Sequence, residues 1–348
     1  MYHKVDNEKM EIFMEIVRVS IIISVYNVEE YLRDCLDSAV NQTLADIEII
    51  CINDGSTDSS LEILNKYQSK DNRVRVTSQE NKGVSAARNV GIRLCQGEYI
   101  YFLDSDDYLE LNALELLYKE ARDDNLDILY FDAVTLFESE YLAKKFASFN
   151  NFYLRTDKYS TVCSGAELYV SLQRDNMFHS LVQLQFISKQ YLDSIGLFFY
   201  EGIYHEDNLF TFISVLQAKR VRHINKKLYV RRINEGSIMT QEKNFKHFYG
   251  YLTCYIQMLR FLSVTLITCN EPKYIMEYVD KMLFCAITLF HKLKGKKSGW
   301  TERLTEFEYY MLTNTKSFFR RKMERVYSYY KKNGFVKTIV KIKKRLIG

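Results

Sequence analysis

The feature that most constrains this chain is a succession of short apolar runs, each followed by an amphipathic stretch of helix length. Arg18–Val25 (RVSIIISV), Ile47–Asn53 (IEIICIN), Arg73–Thr77, Tyr99–Leu103 (YIYFL) and Asp127–Asp132 (DILYFD) read as strands, several of them buried on both faces. Between them, Val28, Tyr31, Leu32, Cys35, Leu36, Ala39 and Val40 share one face of a helix that Asn27 can cap. Leu61, Leu64 and Tyr67 mark a second helix, Ser85–Cys95 a third and Asn112–Asp124 a fourth. This alternation calls for an α/β fold with a mostly parallel sheet and helices on both faces. Ligands of such sheets bind beyond the carboxyl ends of the strands. That rule gathers Ser24–Asn27, Asn53–Asp58 and Asp104–Asp107 on one edge, where Asp54 and the later aspartates should share a cleft.

The Tyr99–Leu103 strand ends in Asp104, Asp106 and Asp107. Crowded carboxylates raise each other's pKa unless a cation sits among them, and a hard divalent ion such as Mg²⁺ or Mn²⁺ prefers oxygen ligands of this kind. The alternative is a solvated acidic turn that caps the following helix. No G-x-G-x-x-G follows the first strand and no G-x-x-x-x-G-K-[ST] occurs anywhere, so both glycine-rich phosphate cradles are missing. A phosphate ligand would then be held by metal and basic side chains.

At 348 residues, with 47% hydrophobic and 26% charged residues, the chain can bury a sizeable core, and its single proline excludes a Pro-rich linker. The net charge of +4 is unevenly placed. Lys331–Gly348 holds basic residues and no acid, which leaves the main body without the basic excess that nucleic acid would require. The seven cysteines form no C-x-x-C pair, so a reducing cytoplasm fits better than a zinc site or a disulfide framework. Met1–Val17 intersperses charges of both signs and reads as an N-terminal extension rather than a signal peptide. Phe248–Cys269 is the nearest approach to a membrane span, but Gln257 and Arg260 within it favour a buried amphipathic helix.

Four segments in this order and spacing, VSIIISVYNVEEYL, INDGSTDSS, NKGVSAARNVGI and EYIYFLDSDDYL, resemble the family-2 glycosyltransferases of GT-A fold. The resemblance is dense from Arg18 to about Asp132 and resumes at His205-Glu206-Asp207 and at Tyr229–Met239. Ser24 departs from the pattern, standing where the family usually has proline; the change removes a fixed φ rather than a ligand. The resemblance implies a nucleotide-sugar donor, most often a UDP-sugar, and inverting transfer to an acceptor hydroxyl with Mn²⁺ or Mg²⁺.

By position, Ser24, Tyr26 and Asn27 line the base pocket and Asp54 accepts a hydrogen bond from uracil, while Ser56 or Asp58 caps the next helix. Lys82 and Arg88 lie in the segment that opens the third helix, whose N-terminus favours anions, and Arg88 could reach the donor. In Asp104-Ser105-Asp106, the resemblance implies that Asp106 binds the metal and Asp104 contacts ribose or a metal-bound water, while Asp107 is expected to face the acceptor side or cap the next helix. The resemblance implies that Asp207 is the base that takes the acceptor's proton, with Glu206 positioning it or contacting acceptor, and His205 is expected to be a structural neighbour. Arg232 and Ser237 reach the diphosphate, as the fork of an arginine suits phosphate oxygens. Without the resemblance these residues read as turn formers, helix caps, first-turn acids and surface charges.

The division that follows is an extension at 1–17, a catalytic region at 18–240 and a helical C-terminal region at 241–348. Within the catalytic region, 18–132 is the nucleotide-sugar-binding half and 133–240 the acceptor half. Ala133–Glu201 is rich in Phe and Tyr without a motif and leaves the acceptor open between a saccharide and a lipid-linked saccharide. The C-terminal helices pack on the catalytic part or form a homo-oligomer. The 331–348 tail sets Phe335, Ile339, Ile342 and Leu346 on one face with lysines elsewhere, which suits an anionic membrane surface or docking on its own protein. The expected function is sugar transfer in surface polysaccharide or lipid-linked oligosaccharide synthesis, in the cytoplasm or peripherally on the inner membrane face. The alternatives are another metal-dependent nucleotide reaction, such as nucleotidyl transfer or nucleotide-sugar hydrolysis, or a non-catalytic nucleotide-sugar-binding subunit.

Overall fold

The computed structural model describes residues 16–235 and 242–293. In chain order these form β1 (Val19–Val25), α1 (Leu32–Val40), β2 (Ile47–Asn53), α2 (Ser60–Gln68), β3 (Val74–Ser78), α3 (Val84–Leu94), β4 (Tyr99–Asp104) and β5 (Tyr108–Leu109). Then follow α4 (Ala113–Asp123), β6 (Ile128–Phe137), α5 (Glu140–Lys145), α6 (Gly165–Arg174), β7 (Gln185–Ser188) and α7 (Lys189–Ile195). The last elements are α8 (Glu206–Gln217), β8 (Val221–Ile233), α9 (Phe245–Val264) and α10 (Lys273–Leu293).

The eight described strands make one sheet in the order β3-β2-β1-β4-β7-β6-β8-β5. β1, β2, β3 and β4 pair in parallel, as their continuous apolar runs require. Beyond β4 the sheet is mixed rather than mostly parallel: β7 runs antiparallel to β4 and β6, and β5 antiparallel to β8. At four residues, β7 is too short to show a period in sequence. β6 runs on past Asp132 to Phe137 because its second half pairs in parallel with β8, after a register shift at Asp132. The Asp132 carboxylate at that shift is fully buried between Arg155 Nη1 at 3.3 Å and His223 Nε2 at 2.7 Å, tying the aromatic segment at 152–155 to β6.

Alternate residues of the strands feed two cores, one on each face. Ile22, Ile50, Ile52, Ile100 and Phe102 face one way, and Ile21, Ile23, Ile49, Cys51, Tyr101 and Leu103 the other. Each fully buried aliphatic or aromatic side chain is worth about 1.5–3 kcal/mol over leaving it in water. Cys254, Met258, Leu262, Tyr278 and Met282 of α9 and α10 lie in the first of these cores together with Ile22 and Phe210. The C-terminal helices therefore pack on the sheet-bearing part through a shared core. Among the described residues no helix is long and apolar enough to cross a membrane.

The helix expected to be capped by Asn27 starts only at Leu32, and its N-cap is Tyr31. Asn27 instead adopts a left-handed backbone (φ 47), which asparagine tolerates better than most residues, and its Oδ1 accepts the Thr57 N–H at 2.8 Å. Asp58 does serve the start of α2, accepting the Ser60 N–H at 3.0 Å, whereas Ser56 Oγ accepts the N–H of Asn27.

Candidate active site

The carboxyl ends of β1, β2 and β4 lie side by side because their register pairs Ser24 with both Ile52 and Asp104. Tyr26 is 50% exposed at this edge. The buried hydroxyls of Ser24 and Ser85, the latter in the first turn of α3, have no hydrogen-bond partner among the described residues. Asp54 extends β2 and was expected to be free for a ligand. It is instead 2% exposed, and its carboxylate accepts Gln79 Nε2 at 2.7 Å, the Lys82 N–H at 2.9 Å and the Gly83 N–H at 2.8 Å. Those bonds fold the 79–83 loop back over β2 and aim α3. Gly83 takes φ +89 there, a conformation that side chains resist. The Lys82 side chain is exposed beside this loop.

Oxygens of Asp104, Asp106 and Asp107 lie within 4.8 Å of one another. Asp107 does not cap the following helix, whose N-cap is Asn112. It is 3% exposed and accepts the Tyr229 hydroxyl and, at 2.6 Å, the Arg232 N–H, so it fastens β8 to the end of β4. Burial, with Asp106 and Asp104 adding, pushes its carboxyl well up. Asp106 is bonded by Asn234 Nδ2 at 3.2 Å, and burial followed by repulsion from Asp104 pushes it up to about 6. Arg232 stands against this cluster: its Nε donates to the Asp106 carbonyl at 3.0 Å, and its guanidinium pairs with Asp34 at 2.8 Å. Ser105 is half-buried between the two outer aspartates of its motif.

Arg88 comes to the same place from α3. It is 4% exposed, and its Nη2 donates to Asp104 Oδ1 at 2.9 Å while its Nη1 donates to Glu206 Oε1 at 2.9 Å and Asp207 Oδ1 at 2.8 Å. Its guanidinium also lies 5.1 Å from the Phe199 ring centroid. The side chain expected to reach a donor is thus engaged by three carboxylates. Burial pushes Asp207 up to about 7 against the pull of Arg88, and burial raises Glu206 as well.

An all-oxygen donor set held this closely, with two carboxyls driven up by burial and mutual repulsion, fits a hard divalent cation. Asp107 spends its oxygens on β8, so Asp104 and Asp106 are the residues that would hold such an ion. The structure brings together Asp104, Asp106, Arg88, Glu206, Asp207 and Arg232; Asp54 serves the adjoining loop, and Ser237 lies outside the described residues. Arg231, Tyr229 and Asn234 were missed. Arg231 donates to the Tyr153 hydroxyl, and nearby Asp107 and Asp104 help hold its charge. The only available signal was the alternation of β8, which turns Tyr229 and Arg231 to one face.

This architecture is the GT-A fold. The crystal structure of S. aureus TarS 1–349 in complex with UDP-GlcNAc superposes with a TM-score of 0.59 at 19% identity, over 84% of this chain and 77% of that one. Residues 20–175 match the family described as Glycosyl transferase family 2. Glycosyltransferase GlyG of Streptococcus pneumoniae serotype 4 is 33% identical over 232 residues, covering 64% of this chain and 73% of its own. GlyA of the same organism is 35% identical over 223 residues, covering 64% of this chain but only 31% of its own length. The chain belongs to glycosyltransferase family 2.

Proposed function

We propose that this protein is an inverting, metal-dependent glycosyltransferase that moves a sugar from a nucleotide-sugar, of UDP type, to an acceptor hydroxyl in surface polysaccharide or lipid-linked oligosaccharide synthesis. One observation carries the reading. A single buried guanidinium joins Asp104, on the donor side, to the Glu206–Asp207 pair at the start of α8. The candidate metal carboxylates and the candidate base thus sit on opposite sides of one side chain. The UDP preference rests on the resemblance, and TarS, which shares the fold, binds UDP-GlcNAc.

In this reading Asp104 and Asp106 hold the cation, whose charge would offset that growing on the departing nucleoside diphosphate. Arg232 faces the same side. Asp207 removes the proton from the acceptor hydroxyl as it attacks the anomeric carbon opposite the leaving group. A carboxyl pushed up to about 7 suits that work, since a base near the operating pH takes up a proton readily. Arg88 orients it. The aromatic-rich 133–201 segment recognises the acceptor, and the 331–348 tail, outside the described residues, holds the protein on the inner face of an anionic membrane.

A nucleotide-sugar panel with Mn²⁺, read by thermal shift and then by nucleoside diphosphate release, tests the activity and names the donor. Asp106→Ala should lose Mn²⁺-dependent UDP binding, while Asp207→Asn should bind UDP and fail to transfer. Full transfer by Asp207→Asn would remove the base assignment.

A further inference from the structure

The segment leading into α8 is held from two sides by groups that touch neither carboxylate of the site. On the donor side, Asn89 follows Arg88 in α3 and is 3% exposed. Its amide pairs with the Phe199 backbone in both directions: Nδ2 donates to the Phe199 carbonyl at 3.0 Å, and Oδ1 accepts the Phe199 N–H at 2.8 Å. The same Nδ2 also donates to Glu201 Oε1 at 2.9 Å. A buried amide satisfied this fully is costly to disturb, because any group left without its partner bears the whole desolvation penalty.

On the far side α9 closes against the same segment. Gly250 leaves no room for a side chain: a Cβ there would fall 2.1 Å from the Tyr204 carbonyl oxygen. Tyr251 stacks on His205 with ring centroids 3.9 Å apart, and Cys254 Sγ donates to the His205 carbonyl at 3.3 Å. His205 is the N-cap of α8 and is held at φ 69, a left-handed conformation uncommon for a residue with a Cβ. Glu206 and Asp207 follow directly.

We propose that Asn89 and Gly250 are positioning residues that clamp the Phe199–His205 segment between α3 and α9 and so set where the Asp207 carboxylate stands. The inference rests on Asp207 being the base, and it assigns a catalytic purpose to the packing of the C-terminal helices. A displacement of about 1 Å at the reacting groups can cost on the order of a hundredfold in rate.

The test uses the full chain with the donor that wild type turns over. Asn89→Asp turns both Nδ2 bonds into contacts between acceptors while keeping the acceptor for the Phe199 N–H. Its kcat should fall at least tenfold, with the donor KM and the affinity for UDP with Mn²⁺ within twofold of wild type. Adding Glu201→Gln supplies a donor to the new carboxylate and should recover part of that loss. Gly250→Ala should show the same split between kcat and KM. Wild-type kcat in both single variants would overturn the proposal, as would a loss of kcat and UDP affinity together that Glu201→Gln leaves unrepaired. Should Asn89→Asp alone fold poorly, the double variant decides: kcat lowered with KM kept supports the clamp, and unchanged kcat overturns it. Asp207→Asn is measured alongside, and full transfer by that variant would sink the base assignment rather than the clamp.

Discussion

Arg88 Nη1 stands 2.8 Å from Asp207 Oδ1, although the two residues are 119 positions apart in the chain. The pair joins α3 to the first turn of α8, the helix that carries the candidate base. Because Arg88 serves Asp104 and Glu206 as well, it is a cation shared by three half-buried or buried carboxylates.

Arg88→Met should therefore destabilise the protein by about 3–5 kcal/mol at neutral pH, the usual cost of leaving buried charge without its partner. The deficit should shrink towards pH 5, since carboxylates deprived of the guanidinium are driven further up and become neutral there. Urea denaturation of both proteins at the two pH values checks this. An equal deficit at both would mean that the loss is one of packing.

Asp54→Ala removes the acceptor of three hydrogen bonds that hold the 79–83 loop. Each charged hydrogen bond is worth about 1.5–3 kcal/mol, so a loss of several kcal/mol is expected. The loop opens α3, and through it the placement of Arg88, so transfer at temperatures below the lowered Tm should fall as well. Circular dichroism melts and initial rates measure the two effects separately. A variant that loses UDP affinity while keeping its Tm would show instead that Asp54 acts on the nucleotide alone.

Asp280 in α10 lies far from the acidic site in sequence, and burial, with Glu277 adding, pushes its carboxyl from an ordinary 3.8 up to about 7. The folded state then holds this proton more tightly than the unfolded chain. Stability from this group is complete below about pH 4 and is lost as pH rises through 7. Asp280→Asn should accordingly raise Tm at pH 8 and leave it unchanged at pH 4. A gain that is the same at both pH values would show that ionisation is not its source.

The basic tail makes a separate prediction. Deleting Lys331–Gly348 should release the protein from vesicles containing anionic lipid while leaving transfer to a soluble acceptor intact. Flotation assays with and without the deletion decide it, and unchanged partitioning would remove the membrane role.

Much of the first half of the fold was legible in the residues alone. Strands such as Ile47–Asn53 are continuous apolar runs, a pattern that only a sheet covered on both faces can bury, and they are bounded by turn residues that mark their ends. The acidic end of β4 stood out because several charges beside a buried run need a local explanation, whereas the Glu206–Asp207 pair was singled out only by the family resemblance. The short β7 was not legible, because four residues carry too few positions for a period. Neither was the N-terminal boundary of α1, where Asn27 left the helix to bond the neighbouring loop.

By itself, then, the sequence determined most of the strands and helices of the first half, which of their faces are buried and which carboxylates end β4, since these follow from local periodicity and chain geometry. Only the tertiary structure decided what each polar group bonds. It turned Asp54 and Asp107 into internal fasteners, made Arg88 the shared partner of Asp104, Glu206 and Asp207, and brought Arg231 inward. The physical reason is that hydrogen bonds and ion pairs between residues 28 to 125 positions apart depend on how the elements dock across the sheet, a property that no local pattern contains.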